Sequence, residues 1–504
     1  MTALLTAPSA APASSARASV KRWPLPAGLW AFGFLAALAG SWIPSFWGDE
    51  AASVMSAERS LPSLLAMLRN VDAVHGLYYL FLHFWIDAFG ASELSVRLPS
   101  SIAVGAMVAG VFVLGRMLAN RNLAVVAAII AAVLPRTSYM GADARSYALS
   151  TTIAVWVTVL LIALLRRTFT SRARHRLAWI GYAIALTLGV YLFLYLGLLL
   201  LVHGAFVLSS RADRTSIRAW VKAAGLSALL SMPILVIGYA QRSQIAFLAT
   251  RGYTTPKSIF VTQWFGNPAL AVAAWTLIAC VVVGAVLTWR RTRAVSPLIR
   301  LSIAWVLLPT IGLLALNAVT PAYNLRYVSF CIPGVALAIA AGIWLVRHRL
   351  LRIVLVVAVV ALAIPTDVAQ RGPFAKDGGS DLAQAASYVG ANAASGDAII
   401  FDRTTANRQR PRLAEHLYPA DFVGLNDVAL KTSYLDRTHL WDTTYPTSEI
   451  SQQLANEDRV WVVELTGSPD DVDGTDIRAL EVDGYAIATT QLIHRTVIYS
   501  LIKK

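Results

Sequence analysis

FWGDEAAS, at residues 46–53, places two adjacent carboxylates directly after an apolar stretch that runs from Leu25 to Ile43. About 20 helical residues cross the hydrocarbon core of a bilayer, so this stretch is long enough to span it. Asp49 and Glu50 therefore stand at the mouth of a predicted membrane helix. Charged groups at membrane depth are costly and usually mark a functional path. The side that these carboxylates face, and the other residues that reach that side, thus bear on function.

The composition indicates a polytopic α-helical membrane protein. Of the 504 residues, 57% are hydrophobic and only 14% are charged, whereas a soluble globular protein has about 25% charged residues. The formal net charge is +15. The basic residues lie between apolar runs, so membrane topology explains this charge, and we expect no nucleic acid partner. Cys280 and Cys331 both lie in apolar stretches and predict neither a disulfide framework nor a metal site.

Apolar runs predict about 11 transmembrane helices. The predicted spans are residues 25–44, 99–118, 122–135, 147–165, 177–190, 192–209, 219–240, 268–288, 301–317, 328–346 and 351–366. The predicted domains are a disordered cytoplasmic N-terminus at residues 1–24, a transmembrane module at residues 25–366 with a first outer loop at residues 45–97, and a small α/β domain at residues 367–504.

The basic residues also predict an orientation. With the N-terminus in the cytoplasm and the spans alternating, most Lys and Arg residues between the spans fall on the inner side, as the positive-inside rule requires. An odd number of spans then places the C-terminal domain outside the plasma membrane. Asp49 and Glu50 face outward on the same basis. The first outer loop also contains a helical pattern, LYYLFLHFWIDAFG at residues 77–90, which suits a helix lying in the membrane interface or an ordinary packed re-entrant element.

The C-terminal region changes to a soluble composition after Pro365. DLAQAASYVGANAASGDAIIFD, at residues 381–402, predicts an amphipathic helix, a turn and a buried strand at residues 398–402. RVWVVEL at residues 459–465 and RTVIYSLI at residues 495–502 predict further strands. This α/β domain contains no catalytic motif that the sequence reveals.

A set of polar residues converges on the predicted outer face. Its members are Asp49, Glu50, His75, Asp143, Arg145, Lys257, Arg326 and Tyr327. Any one of them alone suits an ordinary solvated loop. In combination they suit an anionic lipid substrate, because a carboxylate can take a proton from an attacking hydroxyl and arginines can hold a leaving phosphate through paired hydrogen bonds. A divalent cation, Mg²⁺ or Mn²⁺, would take oxygen ligands here, for which Asp49, Glu50 and Asp143 are the candidates.

Several motifs along the chain resemble the family 39-type membrane glycosyltransferases of the GT-C fold, which include the protein O-mannosyltransferases and the bacterial lipid A aminoarabinose transferases. The matching stretches are Asp49-Glu50, His75, Leu77-Tyr78, the RLPS run at residues 97–100, DARSYAL at residues 143–149 and NLRYVSF at residues 324–330. Two features depart from the family's usual pattern. His75 is followed by Gly76-Leu77 where the family often has two prolines, and the second-loop acidic residue is Asp143 where the family often has Glu.

The resemblance implies an inverting transfer of a sugar from a polyprenyl-phosphate donor to an acceptor hydroxyl on the outer face, with mannose as the favoured sugar. It implies that Asp49 is the base or orients the acceptor, with Glu50 and Asp143 in support. Arg145 and Arg326, with Lys257, would cradle the phosphate. His75 would bridge the carboxylates and the donor, and Tyr327 would support the site. The acceptor class, a glycolipid, a cell-wall glycan or a protein, stays open.

Two other functions compete with this one. A transporter or flippase for a lipid-linked sugar would also need outer arginines and many spans, but it predicts polar residues along the membrane interior and related half-repeats. His203 is the main interior polar candidate, and a single histidine is more often a packed core residue. A non-catalytic scaffold for the C-terminal domain would leave the first-loop motif without a purpose.

Overall fold

The computed structural model describes residues 24–167, 171–210, 212–466 and 474–504. The predicted disordered N-terminus lies outside these residues, apart from Pro24. The α-helices are α1 Pro24–Leu38, α2 Gly48–Ala57, α3 Leu61–Leu68, α4 Gly76–Phe89, α5 Glu93–Leu118, α6 Arg121–Val133, α7 Pro135–Gly141, α8 Tyr147–Arg166, α9 Arg172–Leu192, α10 Leu199–Ser209, α11 Arg214–Ala240, α12 Pro268–Thr292, α13 Pro297–Asn317, α14 Ile332–Leu345, α15 Arg349–Ala369, α16 Leu382–Asn392, α17 Leu413–Leu417 and α18 Thr475–Val482. The strands are β1 Ala398–Phe401, β2 Asn426–Asp427, β3 Leu430–Thr432, β4 Thr443–Thr444, β5 Arg459–Leu465, β6 Tyr485–Leu492 and β7 Thr496–Lys503.

The chain divides into two compact units, each discontinuous in sequence. The membrane unit comprises residues 24–39 of the described chain, Val74–Leu77 and Arg97–Val368. The loop–sheet unit comprises Gly40–Ala73, Tyr78–Val96 and Ala369–Lys504. Most of the predicted first outer loop thus shares a compact unit with the C-terminal region, whereas Val74–Leu77 and Arg97 belong to the membrane unit.

The membrane unit is built from apolar helices. Within the described residues, seven helices are long and apolar enough to cross a membrane, and the bent pair α6 and α7 would make an eighth. Each of the eleven predicted spans overlaps at least one helix, but the number of 11 crossings is not confirmed. Helix α1 and the stretch Leu194–Ser209 are shorter than a full span, and α9 begins with three arginines in its first two turns.

Two interruptions of these helices follow from local chemistry. Pro135 lacks a backbone N–H and restricts the residue before it, and Leu134 is accordingly extended, so that α6 and α7 meet at a bend of 60°. Phe193 is extended as well and ends α9, after which a 3₁₀ turn at Leu194–Leu198 leads into α10. Both interruptions bring polar or aromatic residues to helix ends.

The loop–sheet unit is built on a five-stranded mixed sheet with the order β2-β1-β5-β7-β6. Strands β2, β1 and β5 run parallel, whereas β7 pairs antiparallel with both β5 and β6. The predicted strands at residues 398–402, 459–465 and 495–502 are confirmed within one residue, and α16 is the predicted amphipathic helix. The fold is therefore a polytopic α-helical one with a small C-terminal sheet domain, as the sequence predicts.

Candidate active site

In the membrane unit, the turn between α7 and α8 carries Asp143 and Arg145. Asp143 is fully buried and Arg145 is only 7% exposed. Ser100 donates a hydrogen bond from its hydroxyl to the carbonyl of Asp143 at 2.7 Å, and Ser101 does the same to the carbonyl of Gly141 at 2.9 Å. Ser100, which ends the RLPS run, and Ser101, which follows it, therefore fix the backbone between α7 and α8, a role that no sequence pattern indicated.

The same turn meets His75. A terminal nitrogen of the Arg145 guanidinium lies 2.9 Å from Nε2 of His75. Arginine can only donate, so Nε2 of His75 accepts and the neutral ring carries its proton on Nδ1. The structure thus joins two residues that the sequence predicted for the site, and the histidine orients the arginine.

One aromatic ring lies close to Arg326, the second predicted arginine, and further rings pack near it. The Arg326 guanidinium lies 5.9 Å from the ring centre of Tyr147, and the Tyr147 ring packs edge-on against Phe193 at 5.5 Å. Tyr327 packs against Phe193 at 6.0 Å and stacks on Tyr195 at 4.7 Å. Tyr147 begins α8 and directly follows the turn that carries Arg145. Arg326 and the rings of Tyr147, Phe193, Tyr195 and Tyr327 thus form one connected group of side chains in the membrane unit.

The backbone around Arg326 is held on both sides. The side-chain oxygen of Asn324 accepts a hydrogen bond from the Arg326 N–H at 3.1 Å, and the Ser329 hydroxyl donates to the Arg326 carbonyl at 2.6 Å. These short-range bonds explain the 3₁₀ geometry at Leu325–Cys331. They fix the position of the backbone from which the Arg326 side chain extends.

Arg136 has a structural role next to these residues. Its guanidinium is almost fully buried and donates to the carbonyls of Gln263 at 2.7 Å and Thr262 at 3.2 Å. The Gln263 side chain in turn accepts a hydrogen bond from the Tyr323 hydroxyl. Lys257, the third predicted phosphate ligand, is exposed and directly precedes this segment. Arg136 therefore anchors the loop that follows Lys257.

In the loop–sheet unit, Asp49 and Glu50 occupy the first turn of α2. Carboxylates at a helix N-terminus are stabilised by the helix dipole. Glu50 is fully buried and Asp49 is half-buried. Gly48 precedes them, and a Cβ atom added there would lie 2.0 Å from the carbonyl oxygen of Arg408. Only glycine lets the loop after β1 approach the start of this helix so closely.

Asp49, Glu50 and Asp143 are the candidate ligands of a divalent cation. Among the described residues, no group of three or more His, Cys, Asp or Glu side chains is arranged to hold a metal ion. Asp49 and Glu50 are neighbours in one helical turn, where successive side chains point in different directions. A site for Mg²⁺ or Mn²⁺ at these carboxylates therefore stays a prediction from the sequence.

His203 is a packed core residue. It is fully buried and lies between the hydroxyls of Thr158, 2.9 Å from Nε2, and Tyr182, 2.7 Å from Nδ1. Both ring nitrogens thus have hydrogen-bond partners on neighbouring helices. His203, the main interior polar residue that a transport path would use, is therefore part of a structural hydrogen-bond network.

Comparisons with known proteins give matches by structure. No protein family profile matches the chain, and no curated protein does. The chain is similar to the oligosaccharyltransferase of Archaeoglobus fulgidus in complex with Zn and sulfate, with a TM-score of 0.54 at 12% identity over 92% of this chain and 71% of that one. It is also similar to ArnT from Cupriavidus metallidurans bound to undecaprenyl phosphate, with a TM-score of 0.54 at 11% identity over 96% of this chain and 98% of that one.

A third solved structure is the archaeal oligosaccharyltransferase AglB from Archaeoglobus fulgidus in complex with an inhibitory peptide and a dolichol-phosphate. Its TM-score is 0.50 at 11% identity, over 95% of this chain and 74% of that one. At these identities the likeness concerns the fold, and the assignment to family 39 within that fold stays a prediction. The order of helices, the multi-pass membrane unit and the C-terminal sheet domain together identify the chain as a multi-pass membrane protein with the GT-C fold of membrane glycosyltransferases.

Proposed function

We propose that the protein is an inverting glycosyltransferase that moves a sugar, with mannose favoured, from a polyprenyl-phosphate donor to an acceptor hydroxyl on the outer face of the plasma membrane. The observation that carries the proposal is the buried Arg145, held by His75 at 2.9 Å in the same unit as Arg326. Two neighbours with the same fold were solved with undecaprenyl phosphate and a dolichol-phosphate. A polyprenyl phosphate is the matching ligand for such arginines.

The arginines of the membrane unit bind the phosphate of the donor. Arg145 and Arg326 each present several N–H donors in a planar fork that matches phosphate oxygens. Because Arg145 is nearly buried, its interaction with an anion is weakened less by solvent than that of the exposed Lys257. The phosphate gains negative charge as the sugar leaves, so these cations stabilise the leaving group. His75 keeps Arg145 oriented. Tyr327, which stacks on Tyr195, supports the site through the neighbouring aromatic rings.

The carboxylates of α2 act on the acceptor hydroxyl. Asp49 takes the proton from the acceptor hydroxyl, whose oxygen bonds to the anomeric carbon. The bond from that carbon to the phosphate oxygen breaks, and the polyprenyl phosphate leaves with the electron pair. A single displacement inverts the anomeric centre. Glu50 and Asp143 support the site. The acceptor is a glycolipid, a cell-wall glycan or a protein.

The test uses the full chain in lipid nanodiscs with a panel of polyprenyl-phosphate sugars and cell-envelope acceptors. Donor loss is followed by mass spectrometry for the parent protein and for Asp49→Asn, which keeps the side-chain volume but removes the basic carboxylate. We expect loss of one donor sugar only, and no loss in the variant. Equal donor loss in both proteins would remove Asp49 from the mechanism, and loss of no donor in the presence of all acceptors would overturn the transferase.

A further inference from the structure

Phe46, in the segment that leads into α2, makes hydrogen bonds to the C-terminal part of the loop–sheet unit through both its backbone N–H and its carbonyl. The N–H of Phe46 donates to the Tyr418 hydroxyl at 3.0 Å, and the carbonyl of Phe46 accepts from the Ser380 hydroxyl at 2.6 Å. The ring of Phe46 also packs against that of Tyr418 at 5.7 Å. Phe46 lies three residues before Asp49.

Neighbouring contacts tie down the same segment. The Ser45 hydroxyl accepts from the N–H of Ala383 at the start of α16, at 3.0 Å, and the Ser45 N–H donates to the carbonyl of Pro373 at 2.9 Å. Gly48 lies directly against the carbonyl of Arg408. The residues immediately before Asp49 are thus fixed by groups that come from three different parts of the C-terminal region.

Tyr418 is the centre of this arrangement because its hydroxyl is used in both directions. It accepts from Phe46 and donates to the Glu93 carboxylate at 2.7 Å. Burial, together with the nearby charge of Glu93, raises the pKa of Tyr418, so its hydroxyl keeps the proton that it donates. A phenylalanine in its place would leave both partners without this bond.

We propose that Tyr418 is a positioning residue that sets the start of α2 and hence the place of the Asp49 carboxylate, which makes the C-terminal domain part of the catalytic machinery. The proposal rests on the proposed function for its kinetic consequence but not for its structural one. Catalytic groups must be held in a reactive geometry, and a misplacement of about 1 Å can cost about 100-fold in rate. Arg145 and Arg326, the proposed phosphate ligands, belong to the membrane unit, so the donor KM is the readout expected to stay near its parent value.

The test compares Tyr418→Phe with the parent full-length protein in nanodiscs by two readouts. Hydrogen–deuterium exchange of the amides at residues 45–50 should rise, because the Phe46 N–H loses its acceptor. The value of kcat should fall at least about tenfold with the donor KM within about twofold of the parent value. Ser380→Ala, which removes the other bond to Phe46, should change both readouts in the same direction. It provides a second test if Tyr418→Phe folds poorly.

Tyr388→Phe is the matched control. Tyr388 lies on α16, and its ring packs against Trp461 within the sheet domain. This variant should leave both readouts unchanged. Unchanged exchange at residues 45–50 in Tyr418→Phe, or increased exchange with an unchanged kcat, would overturn the positioning role. If the parent protein transfers no sugar, the proposed function fails by itself, and the exchange readout alone then decides whether Tyr418 fixes the start of α2.

Discussion

His75 and Arg145 are separated by 70 residues in sequence but are joined at 2.9 Å. Both could be identified from the sequence because each lies in a short polar motif beside an apolar run. Their direct bond could not be predicted, because it depends on how the segment Ala73–His75 packs against the turn at residues 142–146, which α5 holds in place. Ser100 and Ser101 make that packing specific, yet as small hydroxyl residues in an apolar helix they carry no sequence signal of their own.

Arg145→Ala is expected to raise the donor KM about 10- to 100-fold, because a hydrogen bond to a charged group contributes about 1.5–3 kcal/mol and each 1.4 kcal/mol is a factor of about ten. Arg145→Lys should fall between the parent and the alanine variant, since lysine keeps the charge but lacks the planar fork. Initial rates against donor concentration measure both values. A donor KM equal to that of the parent in Arg145→Ala would remove this arginine from phosphate binding.

Gly48→Ala is expected to destabilise the protein by about 1–3 kcal/mol and to lower activity. The added Cβ would lie 2.0 Å from the Arg408 carbonyl oxygen, so either the loop or the start of α2 must move. Gly28→Ala is the control, because nothing lies within 4 Å of a Cβ at that position. Chemical unfolding followed by tryptophan fluorescence compares the two. Equal stability of both variants would show that the close approach is relaxed without cost.

At the scale of elements, helices were predicted better than their ends. The predicted span 25–44 ends as helix at Leu38, because Gly40 has a positive φ of 72° and the chain turns there. Strands β5 and β7 were recognisable as apolar runs, whereas β6 exposes most of its residues and has no such run. The contacts of Phe46, just before α2, with the C-terminal region join residues more than 300 positions apart, and neither periodicity nor turn chemistry encodes such pairings.

Arg59, just after α2, is a second tie within the loop–sheet unit. It donates to the carbonyls of Arg437 at 2.8 Å and His439 at 2.6 Å and lies 5.2 Å from the ring centre of Tyr434. Arg59→Met keeps the apolar stem but leaves those carbonyls without a donor, and should cost about 1–3 kcal/mol of unfolding free energy. Arg459→Met, at a half-exposed ion pair with Asp397, should change it by less than about 0.5 kcal/mol. Equal losses in the two variants would contradict the tie.

Glu415, on helix α17, is expected to make the stability of the protein depend on pH. Burial raises the pKa of Glu415 to about 7, with Asp427 adding to the effect and Arg412 opposing it, whereas an unfolded glutamate titrates near about 4.3. Between these values the unfolded state has released a proton that the folded state keeps, so stability falls as pH rises through this window and is level above it.

Glu415→Gln removes this titration. Its unfolding free energy relative to the parent should therefore rise between about pH 4.3 and about pH 7 and then stay level. Denaturant unfolding of both proteins at several pH values measures the difference. A difference that is constant with pH, or one that grows only above pH 7, would contradict a raised pKa at this carboxyl.

At the scale of the whole molecule, composition alone indicated a multi-pass membrane protein, and the fold class is confirmed. The GT-C fold could be expected because the motifs at residues 49–50, 75–78, 97–100, 143–149 and 324–330 resemble those of a known family with that fold. The number of crossings and the membership of each unit depend on tertiary packing. The charge balance of a loop, by contrast, is readable from the sequence, as are Arg145 and Arg326, which lie in short polar motifs beside apolar runs.

The most direct test of sugar transfer follows two quantities in sealed proteoliposomes that contain a labelled polyprenyl-phosphate sugar and an acceptor extract. These are the release of free polyprenyl phosphate and the movement of labelled lipid between leaflets. We predict release by the parent protein, none by Asp49→Asn, and no lipid movement beyond that of protein-free vesicles by either. Lipid movement at the same rate in both proteins, with no phosphate released, would contradict this prediction and establish a flippase instead.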